Sequence, residues 1–226
     1  MQTNKRIDEE KKYWDKLAPD YDQFIEKTWK VYASLLLDKI SKDVKGDIVL
    51  DIAAGTGLVA LKVAERTSKV YGIDISEPMI EEAKKKAKEM GIKNIEFSAN
   101  DAYTLPFDND MFDTVICNNA LHNMKKPQKA LSEIRRVLKY DGRLIATIVG
   151  IGESRKFKIV LSIIRFITGF PVFYKLNLDE AEMMIRKAGF NVFKKEIIKH
   201  PEDRMPILYI IAKKGDKNNF SPKNDI

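Results

Sequence analysis

The spacing of apolar residues changes along the chain near residue 47. Before that point, apolar residues recur at helical spacing over residues 7–26 and 28–40, with a break around Ala18-Pro19-Asp20. After it, short β-rich runs alternate with segments in which apolar residues recur every three or four positions. This alternation is typical of right-handed βαβ crossovers. It predicts an α/β fold with a mostly parallel sheet and helices on both faces.

The boundaries of the predicted elements follow from the same pattern. Helices are predicted over residues 58–66, 78–90 and 127–138, with Ser76 as an N-cap and Gly91 at a left-handed C-terminal position. The polar residues 215–226 are predicted to be a disordered tail. Seven strands are predicted, at residues 48–51, 69–73, 94–98, 113–117, 143–149, 190–197 and 206–212.

Composition narrows the function classes only slightly. The net charge of +7 raises nucleic acid or an anionic membrane as partners, but the lysines are mostly interleaved with acids, as in residues 81–86. Such faces are typically solvated, so nucleic acid is not expected. Cys117 is the single cysteine, which allows no intrachain disulfide or cysteine metal site. With a polar segment at residues 1–12, this predicts a cytoplasmic protein.

The strongest local signal is IVLDIAAGTG at residues 48–57. An apolar strand ends in Asp51, and a loop of small residues leads into a helix. Gly55 and Gly57 let the backbone turn sharply and approach a ligand closely. In an open α/β sheet, this first turn lies where ligands usually bind.

Two interpretations of the loop must be weighed. Residues 55–60 also satisfy the dinucleotide fingerprint G-x-G-x-x-G/A, which would indicate a dehydrogenase. Asp51 argues against it, because a carboxylate there would repel a pyrophosphate, whereas it suits a ligand that carries an ammonium and a sulfonium. The alternative role for Asp51 is hydrogen bonding to loop amides.

Acidic residues follow each of the first three predicted strands. After Asp51, Asp74 ends the second strand, where a carboxylate can accept ribose hydroxyls. Asp101 follows the third strand and could accept the amino group of an adenine. Three acids at three successive strand ends together predict a nucleoside site.

These residues resemble the class I S-adenosylmethionine (SAM)-dependent methyltransferases, specifically the small-molecule group that includes the ubiquinone and menaquinone biosynthesis enzymes. The resemblance covers about residues 13–212. One departure is Ala53, which stands where the family usually has the first glycine of D-x-G-x-G-x-G. The matching runs are VLDIAAGTG at 49–57, DISEPM at 74–79, NDA at 100–102, LPF at 105–107, FDTV at 112–115, LH at 121–122, LKYDGRL at 138–144 and AGF at 188–190, with YWDKLAPDYD at 13–22 similar to the family's N-terminal helix.

The resemblance implies a Rossmann-like seven-stranded sheet with the last strand antiparallel, in a single domain over residues 1–214. It implies SAM as cofactor, S-adenosylhomocysteine as product, a small and partly apolar acceptor, and no metal. Residues 1–45 would be a helical cap, and residues 150–178 would be a lid or substrate insertion. The implied cofactor-binding residues are Tyr21, Asp51, Ala53, Gly55, Gly57, Asp74, Ile75, Met79, Asp101, Ala102 and Asn118.

Several roles stay open from the sequence. His122 is the best candidate for a general base, and the alternative is a structural or substrate-lining histidine. Tyr13 and Tyr21 could close over the cofactor, or be buried with their helix. No role is assigned to His200. The run NNAL at residues 118–121 lacks the N/D-P-P-Y/F pattern of enzymes that methylate exocyclic amines of DNA bases or glutamine amides.

The apolar segment at residues 157–173 is too short and too charged to predict a transmembrane helix. It could be an ordinary packing helix, a wall of the acceptor pocket, or a basic amphipathic surface in transient membrane contact. Other functions left open are an RNA or protein methyltransferase and a SAM-binding protein without turnover; the sequence does not determine the oligomeric state. The proposed pocket walls are Phe157, Ile163, Phe166, Phe170 and Phe173.

Overall fold

The computed structural model describes residues 2–199 and 206–215, with side chains from residue 5 onward. Two helices come first, α1 (Gln2–Leu17) and α2 (Tyr21–Asp43), separated by a turn of 3-10 helix at Ala18–Asp20. Pro19 has no N–H to donate, which explains a break at the predicted position. The predicted helical segments 7–26 and 28–40 are not separated at residue 27, since α2 runs through this position without interruption. His200 and residues 216–226, which include nearly all of the predicted tail, lie outside the described residues.

A seven-stranded sheet forms the centre of the molecule, in the order β3-β2-β1-β4-β5-β7-β6. Strand β7 is antiparallel to both of its neighbours, and the other pairs are parallel. The predicted fold class is therefore confirmed. The strands are β1 (Ile48–Ile52), β2 (Lys69–Asp74), β3 (Ile95–Ala99), β4 (Phe112–Asn118), β5 (Leu138–Val149), β6 (Phe190–Ile198) and β7 (Ile207–Lys214).

Helices cover both faces of the sheet, as the strand–helix alternation predicts. The hydrophobic cluster on one face includes side chains of α2, α3, α4 and α6, and the cluster on the other includes side chains of α5 and α7. Side chains of β1 alternate between the two faces, with Val49 in the first cluster and Leu50 in the second. The helices after α2 are α3 (Leu58–Ala64), α4 (Glu77–Glu89), α5 (Pro127–Val137), α6 (Arg155–Thr168) and α7 (Leu178–Lys187).

Two elements differ from the sequence-based expectation. Strand β5 begins at Leu138 rather than residue 143, because Leu138 pairs with Phe112 of β4 and the ladder then continues through an irregularity. Helix α7 is not among the predicted helices. The sequence signal for it is a capping box, in which Asn177 accepts from the backbone N–H of Glu180 and the Glu180 side chain accepts from the backbone N–H of Asn177. Within the described ranges, no helix is both long and apolar enough to span a membrane.

Candidate cofactor site

The loop between β1 and α3 has the left-handed backbone that its glycines permit. The φ angles of Gly55 and Gly57 are +55° and +82°, and that of Ala53 is +56°. Ala53 therefore adopts a left-handed backbone conformation that favours glycine. This conformation costs an L-residue about 1–2 kcal/mol. The substitution is accommodated by a strained alanine within the loop.

A cavity of about 250 Å³ opens beside this loop, at the carboxyl ends of β1, β2 and β4. It is lined by every residue of the predicted cofactor set except Gly57, and also by His122. Parallel strands bring their carboxyl ends to one edge of the sheet, which is why residues from separate motifs meet here.

Gly57 is buried, packs against neighbouring elements and does not line the cavity. A Cβ atom at Gly57 would lie 2.8 Å from Cζ of Phe97 and 3.1 Å from Cβ of Ala83. The absence of a side chain thus allows the start of α3 to pack against β3 and α4. Gly55 lines the cavity, where an added Cβ would meet the ring of Tyr21 at 3.7 Å.

Asp51 is a buried carboxylate without a regular hydrogen bond. Its exposure is 1%, and neither oxygen has a hydrogen-bond partner among the described residues. Burial, reinforced by the nearby Asp74 and partly opposed by the backbone N–H of Ala60, raises the pKa of Asp51 to about 8. The alternative that Asp51 holds the loop amides is wrong. A buried carboxylate that faces a cavity and has no regular hydrogen bond is suited to a cationic ligand.

Asp74 accepts hydrogen bonds at both oxygens. Oδ2 accepts from the backbone N–H of Gly55 and Oδ1 from that of Ser76, each at 2.9 Å. Burial is the main reason that the pKa of Asp74 is raised. Each carboxylate oxygen has a second acceptor position, so Asp74 can hold the loop and still accept hydroxyls from a ligand.

Asp101 is paired with Arg6 of α1, a residue that no motif in the sequence indicates. Arg6 of α1 forms an ion pair with Oδ2 of Asp101 and donates to Glu10 at 2.9 Å, while the Tyr103 hydroxyl donates to Glu10 at 3.2 Å. Glu10 also lines the cavity. An adenine amino group would therefore share Asp101 with a guanidinium. The local sequence carries no signal for this pair, because 95 positions separate its members.

The aromatic residues predicted to cover the site take different positions. Tyr21 lines the cavity, and its pKa is raised by burial and by the neighbouring acids, which keeps the hydroxyl protonated. Tyr13 is not part of the lining. It packs edge-to-face on Trp14 and Phe170, with ring centroids 5.3 Å apart in both pairs, and these two residues do line the cavity.

His122 lies in a 3-10 turn after β4, facing the cavity at 4% exposure. Burial lowers its pKa to about 4, so the imidazole is neutral at physiological pH. Its Nδ1 has no hydrogen-bond partner among the described residues. Its carbonyl accepts from the backbone N–H groups of Phe173 and Tyr174, both at 3.1 Å, which attaches the segment after α6 to this turn.

The apolar wall of the cavity comes mainly from α2 rather than from the predicted segment at residues 157–173. Of the five wall residues predicted there, only Phe170 reaches the cavity. Ile163 and Phe166 are instead 53% and 91% exposed, because α6 buries only Leu161 against the protein. The residues of α2 that line the cavity are Tyr21, Phe24, Ile25, Trp29, Tyr32, Ala33, Leu36 and Leu37.

A family profile described as a methyltransferase domain matches residues 43–162, which is more than half of the chain. The chain belongs to this methyltransferase family. Around the cavity, the matched range includes the glycine loop, Asp74, Asp101 and His122, but it leaves α1 and nearly all of α2 outside.

Three relatives illustrate the range of similarity. The uncharacterized methyltransferase YcgJ of Bacillus subtilis is 40% identical over 97 residues, which are 43% of this chain and 38% of that protein. The demethylmenaquinone methyltransferase of Renibacterium salmoninarum is 34% identical over 149 residues, or 63% and 59% of the two chains. The chain thus spans about half the length of these two relatives. The uncharacterized protein MJ1252 of Methanocaldococcus jannaschii is 33% identical over 204 residues, or 80% and 76%.

Solved structures confirm the fold. The crystal structure of YcgJ from Bacillus subtilis superposes with a TM-score of 0.68 at 23% identity, covering 81% of this chain and 98% of the other. A putative methyltransferase, solved in complex with the Haloferax volcanii Trm112 activator, superposes at 0.73 with 18% identity, covering 90% and 98%. At these identities, the similarity concerns the fold.

Proposed function

We propose that this methyltransferase-family protein uses SAM to methylate a small, partly apolar molecule, with S-adenosylhomocysteine as the second product. The observation that carries this proposal is Asp51, an unpartnered buried carboxylate that lines the cavity beside the glycine loop. Its electrostatic complement is a ligand cation. The same residue disfavours a dinucleotide, because it would face a pyrophosphate.

The chain's residues fit the parts of this cofactor. SAM supplies a methyl group on a sulfonium. The protein therefore has to bind the cofactor and the acceptor, orient them for transfer and exclude water. Asp51 would attract the positive charge, Asp74 would accept the ribose hydroxyls, and the backbone near Asn118 would hold the amino-acid portion. Ile75, Met79 and Ala102 would flank the adenine. We expect no metal to take part in the reaction.

An apolar acceptor is supported by the α2 wall, which forms one side of the cavity. Relatives named as demethylmenaquinone methyltransferase and ubiquinone/menaquinone biosynthesis C-methyltransferase support the same class, a small molecule with an apolar part. We assign residues 1–214 to a single domain, residues 1–45 to its cap, residues 150–178 to a lid and the protein to the cytoplasm.

Titration calorimetry tests the cofactor assignment. The protein is expected to bind S-adenosylhomocysteine stoichiometrically and to give no heat with NADH. Binding of NADH alone would contradict the charge argument built on Asp51. Binding of SAM without turnover across a broad acceptor panel, including RNA and protein, would indicate a SAM-binding protein rather than an enzyme.

We expect His122 to contact the acceptor as a neutral imidazole. Because the pKa of His122 is lowered to about 4, this group does not titrate between pH 6 and 8. Replacing His122 with Gln should therefore reduce kcat by less than about tenfold, against the roughly 10²–10⁴-fold contribution of a general base. It should also leave the shape of the pH–rate profile unchanged. A wild-type inflection near neutrality that disappears in the variant would restore the general-base role.

A further inference from the structure

Helix α6 presents an apolar face to solvent. Within the described residues, only Leu161 of this helix is buried, while Phe166 is 91% and Ile167 74% exposed. At the helical repeat, the exposed large apolar side chains fall within a single arc of about 160°. We call them the outward face: Ile159, Val160, Ile163, Ile164, Phe166 and Ile167.

This helix is well defined at both ends and attached to the domain. The Ser154 side chain accepts from the backbone N–H of Phe157 at 3.4 Å, and Gly169 ends the helix with φ +75°. Leu161 joins the hydrophobic cluster that contains side chains of α2, and Arg165 donates to the Val172 carbonyl at 2.8 Å. The outward face thus belongs to a helix fixed on the domain, and an apolar patch of this kind usually marks an interaction site.

The charges on α6 identify the type of partner. The helix contains four basic residues and no acidic one. Arg165 is used locally, but Arg155, Lys156 and Lys158 make no ion pair with any described residue. The α6 helix of a second copy would offer these cations no acidic residue to pair with. A surface of anionic phospholipid instead offers phosphates to the cations and acyl chains to the outward face.

We propose that α6 docks the protein on an anionic membrane, lying in the plane of the interface with its outward face among the lipid chains. Phe170 lies two residues beyond the helix and lines the cavity together with Trp14. Docking would therefore bring this side of the cavity close to the lipid. The proposal depends on the surface of α6 alone and does not require that the cavity bind SAM.

Co-sedimentation of the full chain with phospholipid vesicles tests the docking. The protein is expected to bind vesicles of phosphatidylcholine and phosphatidylglycerol, to bind phosphatidylcholine alone more weakly, and to be released by salt. I163E and F166E should each lower the partition coefficient about tenfold or more, because each places a charge in the face that docking would bury among the lipid chains. The matched control is M183E, since Met183 of α7 is 50% exposed and Ile163 is 53% exposed. Thermal melts followed by circular dichroism should show that all three variants fold.

Three outcomes would overturn the proposal. The first is that neither the full chain nor a variant that lacks residues 216–226 binds either kind of vesicle. The second is I163E and F166E variants that are folded and bind as well as M183E does. The third is a wild-type dimer in sedimentation velocity that I163E converts to a monomer, which would make the outward face an interface between copies.

Discussion

Replacing Asp51 with Asn is expected to weaken SAM binding by about 3 kcal/mol, roughly 100-fold, and to stabilise the unliganded protein. The two effects share one cause, the burial of this carboxylate without a regular hydrogen bond. The carboxylate costs free energy when the cavity holds no cation and contributes binding energy when it does. Calorimetry and thermal melting measure the two effects separately. A variant that binds SAM as tightly as the wild type would contradict the assignment.

The pH dependence of stability gives a second measurement on the same variant. The pKa of Asp51 is about 8 in the folded protein and 3.8 ordinarily. Between these values the folded state keeps a proton that the unfolded state has released, so the free energy of unfolding falls as pH rises. Asp74, whose pKa is also raised, acts in the same direction. The melting temperature of D51N should therefore decline less than that of the wild type between pH 5 and 8.

SAM binding should also release a proton from Asp51 below about pH 8. A ligand cation stabilises the ionised carboxylate, so the proton leaves when the ligand binds. Calorimetry in two buffers of different ionisation enthalpy would detect this release. D51N should lose the part of the signal that comes from this residue.

Replacing Asp74 with Ala is expected to weaken SAM binding by about 1–3 kcal/mol and to destabilise the fold. The binding loss reflects the proposed hydrogen bonds to ribose. The loss of stability arises because the backbone N–H groups of Gly55 and Ser76 lose their acceptor. Calorimetry with S-adenosylhomocysteine and thermal melting measure both. Unchanged affinity in a folded D74A variant would show that Asp74 only holds the loop.

The matched control for this prediction is D113A. Asp113 also accepts from two backbone N–H groups, those of Asp47 and Ile48, both at 3.0 Å, but at the amino end of β1. D113A should therefore destabilise the fold in a comparable way and leave SAM binding unchanged. If D113A weakened binding as much as D74A, the effect would come from general loss of stability rather than from the site.

Local pattern was enough to predict the sheet and most of the cofactor set. The central strands are short apolar runs because both faces of the sheet are covered, and the alternation of these runs with helical spacing is visible in the sequence. Asp51 and Asp74 could be assigned to one site because both lie at the carboxyl ends of neighbouring parallel strands. A side chain at Gly57 would clash with Phe97 of β3, and the sequence around Gly57 carries no signal for this contact because the two residues are far apart in the chain.

The sequence by itself determined the α/β fold, the glycine loop and the acids beside it, because periodicity, turn chemistry and strand ends are local properties. Only the tertiary structure decided what surrounds them. Arg6 reaches Asp101 from α1, α2 supplies the apolar wall, and α6 turns most of its apolar residues outward. An amphipathic helix specifies that it has an apolar face. Which surface that face meets depends on packing among elements far apart in the chain.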